Sequence, residues 1–184
     1  MRYPASETAK KHKRIIREAA KLFREHGFSG VSVGEIMQAT GLTHGPFYNH
    51  FPSKQALMAE GVEHGLRKTL ASVEQVGNSP RRKADYLDRY LSTTHRDSPG
   101  SGCTTAALAA DIRQESQLKG LFTAHLKAIV EKMAAKFPWR SKRSARGDSI
   151  RTLSTMVGAL ILARAVDDKV FSKEILREAR RGLA

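Results

Sequence analysis

A short segment, residues 43–54, concentrates side chains that form hydrogen bonds or carry positive charge. Two aromatic residues, Phe47 and Phe51, stand four positions apart within it. That spacing suits a short helix that buries both rings and turns its polar groups outward. Outward groups of this kind can bind base edges and phosphates. The candidates for this role are Thr43, His44, Gly45, Pro46, Tyr48, Asn49, His50 and Lys54.

These candidates differ in the chemistry that they offer. Asn49 can read adenine through a bidentate contact, while Thr43 and His44 can donate to a base or a phosphate. The charge of Lys54, together with nearby helix amides, can bind a phosphate. A helix-capping role is an alternative for Thr43, as it is for Ser32.

The elements that position these side chains follow from the residues before them. Ser32 and Glu35 have the spacing of a capping box, and Gly41 ends the helix that they start. The predicted helices occupy about 33–40 and 44–50. This arrangement predicts a helix-turn-helix, in which the second helix lies in the major groove of DNA.

Matching residues at fixed offsets extend this pattern to about a quarter of the chain. From about Lys11 to Leu57, it resembles the DNA-binding domain of the tetracycline-repressor (TetR) family of bacterial transcription regulators. The matching positions are Ile15, Ala19, Leu22, Phe23, Gly27, Phe28, Ser32, Ile36, Thr40–Thr43, Gly45, Phe47, Tyr48, His50, Phe51, Ser53, Lys54 and Leu57. Pro46 departs from the family, which more often has Thr, Ser or Gly there, and it removes a backbone donor.

The resemblance implies more than the residues alone do. It implies that Tyr48 and His50 contact DNA phosphates. It also implies a homodimeric, ligand-responsive regulator, most often a repressor, that binds a palindromic DNA operator and is released by a small-molecule effector. Dimerisation would use the C-terminal helices, where Met156–Ala163 mixes small and large apolar residues. An ordinary buried core helix is the alternative for that segment.

Composition supports a polyanionic partner. The 184 residues carry a formal net charge of +14, which favours nucleic acid over an acidic membrane surface. Residues 1–54 account for only +5 of this net charge, so the charge does not locate the interface. The helix-turn-helix motif does. A cluster near the start of the first helix, Lys10, Lys11, Lys13 and Arg14, suits phosphate contacts or a solvated charged face.

Other features of the sequence exclude several classes of protein. The single cysteine excludes an internal disulfide framework. The N-terminus shows no signal peptide, and the longest apolar run is too short to span a bilayer. A cytoplasmic protein is therefore expected. No catalytic, metal or cofactor motif is recognisable. The remaining alternative is a basic all-helical adaptor that binds protein or membrane surfaces.

Apolar spacing of three and four residues predicts an all-α fold of about nine helices. Helices are predicted at about 6–26, 33–40, 44–50, 54–76, from 80, 104–114, 117–137, 148–166 and from Ser172 to about 181. The predicted domains are 1–52, a helix-turn-helix unit, and 53–184, a helical ligand-binding and dimerisation unit. No flexible linker separates them, so a movement in the second domain could reach the first.

The predicted effector site lies among the middle helices. A shared cavity is expected to involve Leu66, Tyr86, Tyr90, Leu108, Phe122 and Leu126, although plain core is the alternative for all six. Gly61 and Gly65 predict either a helix bend or close packing of another helix. Cys103 suits either thiol sensing or a buried apolar position, and Trp139 is expected to anchor the basic loop beside it.

Overall fold

The computed structural model describes residues 5–43 and 45–183, without the side chains of Ala5 and Pro46. No strand occurs within these ranges, which confirms the predicted all-α class. The helices are α1 Ala5–His26, α2 Val33–Ala39, α3 Lys54–Val76, α4 Pro80–Tyr90, α5 Thr93–Asp97, α6 Thr104–Ile112, α7 Ser116–Lys136, α8 Ala145–Ala165 and α9 Lys169–Arg181. Two single-turn 3-10 helices, Gly45–Asn49 and Pro99–Ser101, complete the fold.

The second element of the helix-turn-helix differs from the prediction. An α-helix was expected at 44–50, but Gly45–Asn49 forms a 3-10 helix, with the His50 amide donating to the Phe47 carbonyl at 2.8 Å. Glycine is a weak helix former, and proline at position 46 has no amide hydrogen to donate. A segment this short closes a single tight turn.

Caps and glycines set most of the other predicted boundaries. The Ser32–Glu35 capping box is present, and Ser53 caps α3 by accepting the Ala56 amide at 3.1 Å. Gly27 and Gly41 adopt φ values of 74° and 64° after α1 and α2. Only glycine takes this left-handed conformation without steric cost, so both helices end there.

The start of the last helix differs from the prediction. Asp168, not Ser172, opens α9, because its carboxylate accepts the amides of Val170 and Phe171. Ser172 lies one turn inside the helix and is buried, with its hydroxyl donating to the Ala163 carbonyl at 2.6 Å. A buried serine thus joins α9 to α8 instead of capping a helix.

One apolar cluster joins the helix-turn-helix to the helices that follow it. Ile15, Phe23, Phe47 and Phe51 are almost fully buried, and the same cluster continues through α3, α6 and α7. The core therefore does not break near residue 52. The α3 helix packs along α1 at one end and along α7 beyond it.

Glycines on α3 allow this close packing. A Cβ at Gly65 would collide with the Thr104 hydroxyl, and one at Gly61 would lie 3.6 Å from the Phe23 ring. Of the two predicted explanations, close packing is the one that the contacts support. The two glycines let α1 and α6 approach the helix axis.

A second apolar cluster fills the C-terminal part of the fold. It combines residues of α3, α4, α7, α8 and α9, among them Tyr86, Phe137 and Met156. The Trp139 indole stacks on Phe137 and donates to the Met133 carbonyl at 2.8 Å, so it anchors the loop as predicted. Within the described residues, no helix is long and apolar enough to cross a bilayer.

Candidate nucleic-acid interface and internal cavity

The segment after α2 separates into an inward and an outward face. Phe47 and Phe51 are 0% and 1% exposed, and their rings lie 5.7 Å apart in the core. Tyr48 is 65% exposed, and Asn49 is also exposed. The buried rings therefore fix the backbone that presents Tyr48 and Asn49 to solvent.

The neighbouring candidates take different positions. Thr43 and Gly45 are exposed, and a Cβ added at Gly45 would meet nothing within 4 Å. That position leaves room for another molecule to approach the backbone closely. His44 and the Pro46 side chain lie outside the described residues, so their predicted roles rest on the sequence.

His50 is half-buried beside the aromatic core. Its ring lies 5.9 Å from His12, which stacks on Phe51 at 4.5 Å and forms a hydrogen bond with Glu60 at 2.8 Å. Burial, followed by the nearby His12 and Lys11, lowers the pKa of His50 from its usual 6.5. At neutral pH it therefore offers hydrogen bonding and not charge.

Lys54 has a structural contact that the sequence did not predict. Its ammonium group donates to the carbonyl of Phe28 at 2.6 Å, which ties the start of α3 to the turn after α1. An ammonium group has three donors. It can therefore hold this turn and still contact a phosphate.

Basic side chains of α1 flank the helix-turn-helix. Lys10, Lys13 and Arg14 are exposed, and Lys11 forms an ion pair with Glu7 at 4.0 Å. The Arg14 guanidinium lies 3.7 Å from where a Cβ of Gly41 would stand. Arg14 thus places positive charge at the turn between the two elements.

Known proteins share this N-terminal arrangement. The sequence profile described as "Bacterial regulatory proteins, tetR family" matches residues 15–60. The uncharacterized HTH-type transcriptional regulator YuxN of Bacillus subtilis is 38% identical over 74 residues, which cover 39% of this chain and 25% of YuxN. The HTH-type transcriptional repressor DhaR of Mycobacterium sp. (strain GP1) is 27% identical over 128 residues, which cover 67% of this chain and 61% of DhaR.

The similarity in fold extends beyond that segment. A crystal structure of a TetR-family transcriptional regulator from Agrobacterium tumefaciens superposes with a TM-score of 0.76 at 22% identity, covering 95% of this chain and 98% of that one. Residues 15–60 therefore carry the DNA-binding motif of the TetR family. That segment is a DNA-binding helix-turn-helix, as the sequence predicted, and the described chain shares the fold of TetR-family structures. The helix-turn-helix match argues against the alternative of a basic adaptor.

A cavity of about 580 Å³ lies where the end of α1 meets the helices that follow the helix-turn-helix. Its walls come from the end of α1, from α3 and α4, and from the segment that leads into α6. Of the six predicted ligand-binding residues, Tyr86 and Tyr90 line it. Leu66, Leu108 and Phe122 pack instead in the N-terminal apolar cluster, and Leu126 does not line this cavity. Of the six, only Tyr86 and Tyr90 therefore line this cavity.

Sequence reasoning missed most of the polar wall. The additional lining residues are Arg24, Gly65, Lys68, Thr69, Ser72, Arg89, Ser92, Thr94, His95, Ser98, Ser101, Gly102 and Cys103. A local signal for it was the density of hydroxyl residues at 92–105. Arg24 could not be found in this way, because it lies on the first helix, far away in sequence.

His95 organises one end of the cavity in the TetR-family fold. Its Nδ1–H donates to the Tyr90 carbonyl at 2.7 Å, and its Nε2 accepts the Cys103 amide at 3.0 Å. Burial lowers the pKa of His95, against the raising effect of the Tyr90 hydrogen bond. The ring is therefore a neutral connector between α4 and α6. Cys103 is buried in the wall beside it.

Proposed function

We propose that this protein is a homodimeric transcriptional repressor that binds a palindromic operator and is released from it by a small-molecule effector. Residues 1–52 would form the DNA-binding unit, and 53–184 the ligand-binding and dimerisation unit. The observation that carries the proposal is the division of residues 43–54 into two buried rings and an exposed polar face. The proposal that the protein represses transcription is supported by the name of the relative DhaR, a transcriptional repressor.

The proposed DNA contacts combine base reading with phosphate binding. Asn49 would read a base edge, and Tyr48 and Lys54 would contact phosphates. His50 would donate a hydrogen bond as a neutral ring. The complete proposed set is Thr43, His44, Gly45, Pro46, Tyr48, Asn49, His50 and Lys54.

An outward apolar stripe supports dimerisation. Ile150, Val157 and Ile161 recur at helical spacing on the partly or fully exposed side of α8, and Phe171 of α9 is also exposed. Within Met156–Ala163, Met156 itself faces the core. Nothing lies within 4 Å of a Cβ added at Gly158, so a second helix can approach closely there. Pairing of two such faces would place two reading heads on one palindrome.

Selection of duplexes from a random library, followed by binding titrations, tests the reading face. Asn49→Ala should weaken binding to the selected site by about 1–3 kcal/mol and broaden the preference at one base pair. Tyr48→Phe should weaken binding to all sequences alike, because it removes a phosphate contact. Both residues are exposed, so thermal stability should stay close to that of the wild type.

Lys54→Ala is the companion variant, with stability measured beside binding. It should reduce affinity for every sequence and lower the salt dependence by about one phosphate contact. It also removes the donor to the Phe28 carbonyl, so we expect some loss of stability. Wild-type affinity and base preference in all three variants would contradict the proposed interface.

A further inference from the structure

The cavity of about 580 Å³ is large enough for a small organic molecule, and it opens to solvent at exposed lining residues such as Lys68 and Arg89. Its charged lining residues are all basic: Arg24 from α1, Lys68 from α3 and Arg89 from α4. No aspartate or glutamate belongs to the described lining. Because His95 is neutral, these three side chains, which come from three helices, carry the formal charge of the described lining.

Arg24 is the most buried of the three cations, at 7% exposed. Its Nε donates to the Gly100 carbonyl at 2.9 Å, and its Nη2 donates to the same oxygen. It forms no ion pair with any residue that the structure describes. Burial lowers the pKa of Arg24, against the raising effect of the negative charge of Glu25. A buried charge of this kind gains strongly from a counter-ion.

A second polar group in the wall lacks a hydrogen-bond partner. The Tyr90 hydroxyl is buried and forms no hydrogen bond of normal geometry, with the Cys103 thiol as a polar neighbour. Burial raises the pKa of Tyr90 well above its usual value, so the hydroxyl stays protonated. It is therefore a donor in need of an acceptor, and Arg24 supplies further donors in the same cavity.

The remaining wall suits the body of an organic ligand. The rings of Tyr86 and Tyr90 lie 6.4 Å apart, and both residues are more than nine-tenths buried. Flat aromatic surfaces bind apolar groups through area burial and ring contacts. The cavity thus combines one buried cation, Arg24, with an aromatic side formed by Tyr86 and Tyr90.

We propose, building on the ligand response proposed above, that the effector is a small organic anion. Its acidic group would bind beside Arg24 and within reach of Lys68 and the Tyr90 hydroxyl, and its apolar body would pack on Tyr86 and Tyr90. Arg24 belongs to α1, the helix that packs on Phe47 and Phe51. A ligand whose acidic group pairs with Arg24 would therefore contact the DNA-binding unit directly.

Four naphthalene compounds that differ in charge test this assignment by calorimetry on the full chain without DNA. They are 2-naphthoate, 2-naphthyl phosphate, neutral 2-naphthamide and the 2-naphthylmethylammonium cation. At least one anion should bind about tenfold more tightly than the amide, because charge-assisted hydrogen bonds are the stronger ones. The cation should not bind measurably. Comparing the two anions shows whether a carboxylate or a phosphate is preferred.

Variants locate the site. Arg24→Gln should lose most anion binding, and Lys68→Gln, at an exposed position, should weaken it severalfold without the risk to folding that a buried change carries. Lys127→Gln, on the exposed side of α7 and outside the cavity, is the matched control and should bind like the wild type. Unchanged binding in Lys68→Gln and Arg24→Gln, or equal binding of the amide and both anions, would overturn the proposal. So would failure of both anions to bind.

Release of DNA is measured separately, with the selected operator. If an anion binds in the cavity but leaves the DNA complex intact, the anion site stands and the proposed ligand response fails. If instead a neutral or cationic compound releases the DNA and the anions do not bind, the ligand response stands and the anionic class is wrong.

Discussion

His95 shows how a single residue fixes the geometry of the cavity. Its two ring nitrogens have opposite roles, one donating to Tyr90 and the other accepting from Cys103. Only the neutral ring can form both hydrogen bonds. These two hydrogen bonds connect Tyr90 to Cys103 through the His95 ring. They hold the chain between the two residues as a closed loop along one wall of the cavity.

This pairing predicts a pH dependence of stability. The pKa of His95 lies below 6.5 in the folded protein, so the unfolded chain takes up a proton at higher pH. Stability from this residue is therefore complete above pH 6.5 and is lost as the pH falls through the folded pKa. His95→Gln should flatten the slope of unfolding free energy against pH in this range, measured by urea denaturation.

The exposed His26 provides a control for that measurement, as His26→Gln. Other histidines with lowered pKa values, His50, His64 and His125, should maintain part of the acid sensitivity in His95→Gln. An identical slope in the wild type and in His95→Gln would show that the ring does not couple to folding.

At the scale of elements, α3 joins the DNA-binding unit to the rest of the fold. It begins at the Ser53 cap, carries Lys54 against the turn after α1, and passes close to α1 and α6 at its two glycines. The N-terminal apolar cluster includes its residues from Leu57 to Leu66, and Val73 and Val76 belong to the C-terminal cluster. A displacement at the cavity can therefore reach the DNA-binding unit through packed side chains, without a flexible linker between them.

Substitution by alanine should have different effects at the two α3 glycines. Gly65→Ala should destabilise the protein by about 1–3 kcal/mol, because the new methyl group overlaps the Thr104 hydroxyl. Gly61→Ala meets only ordinary contacts at 3.6 and 3.7 Å. It should be neutral or stabilising by up to about 1 kcal/mol through helix propensity. Urea denaturation compares the two, and equal effects would contradict the packing explanation.

At the scale of the whole molecule, the uncovered apolar surface lies on α8 and α9. Ile150, Ile161, Leu162, Val170 and Phe171 are large apolar side chains that the described chain leaves exposed. Grouped exposure of this kind marks an interaction surface. The buried half of α8 packs on the C-terminal cluster, so the helix presents one face to the core and another to a partner.

Ile161→Glu should therefore convert the proposed dimer to a monomer and reduce operator affinity, with little change in helix content. Light scattering should give a mass near 20.3 kDa for the variant and about twice that for the wild type. Ala110→Glu, at an exposed position on α6, is the control and should remain dimeric. A wild-type protein that is monomeric at micromolar concentration would contradict this part of the proposal.

The sequence by itself determined the local parts of this protein. Periodicity gave the all-α class, and capping residues and glycines gave the boundaries of α2 and α3, because such signals act within a few residues of the chain. Residues 15–60 likewise match the profile of the TetR family. The aromatic spacing of Phe47 and Phe51 predicted which face of the segment is buried.

Only the tertiary structure decided how distant residues combine. It placed Arg24 of α1 in a cavity with Lys68, Arg89 and Tyr90, and it moved Leu66 into the core. It also showed that Lys54 holds the turn after α1. These contacts join positions far apart in the chain, and no local pattern encodes them, since charge, burial and hydrogen bonding at such sites depend on how the helices pack.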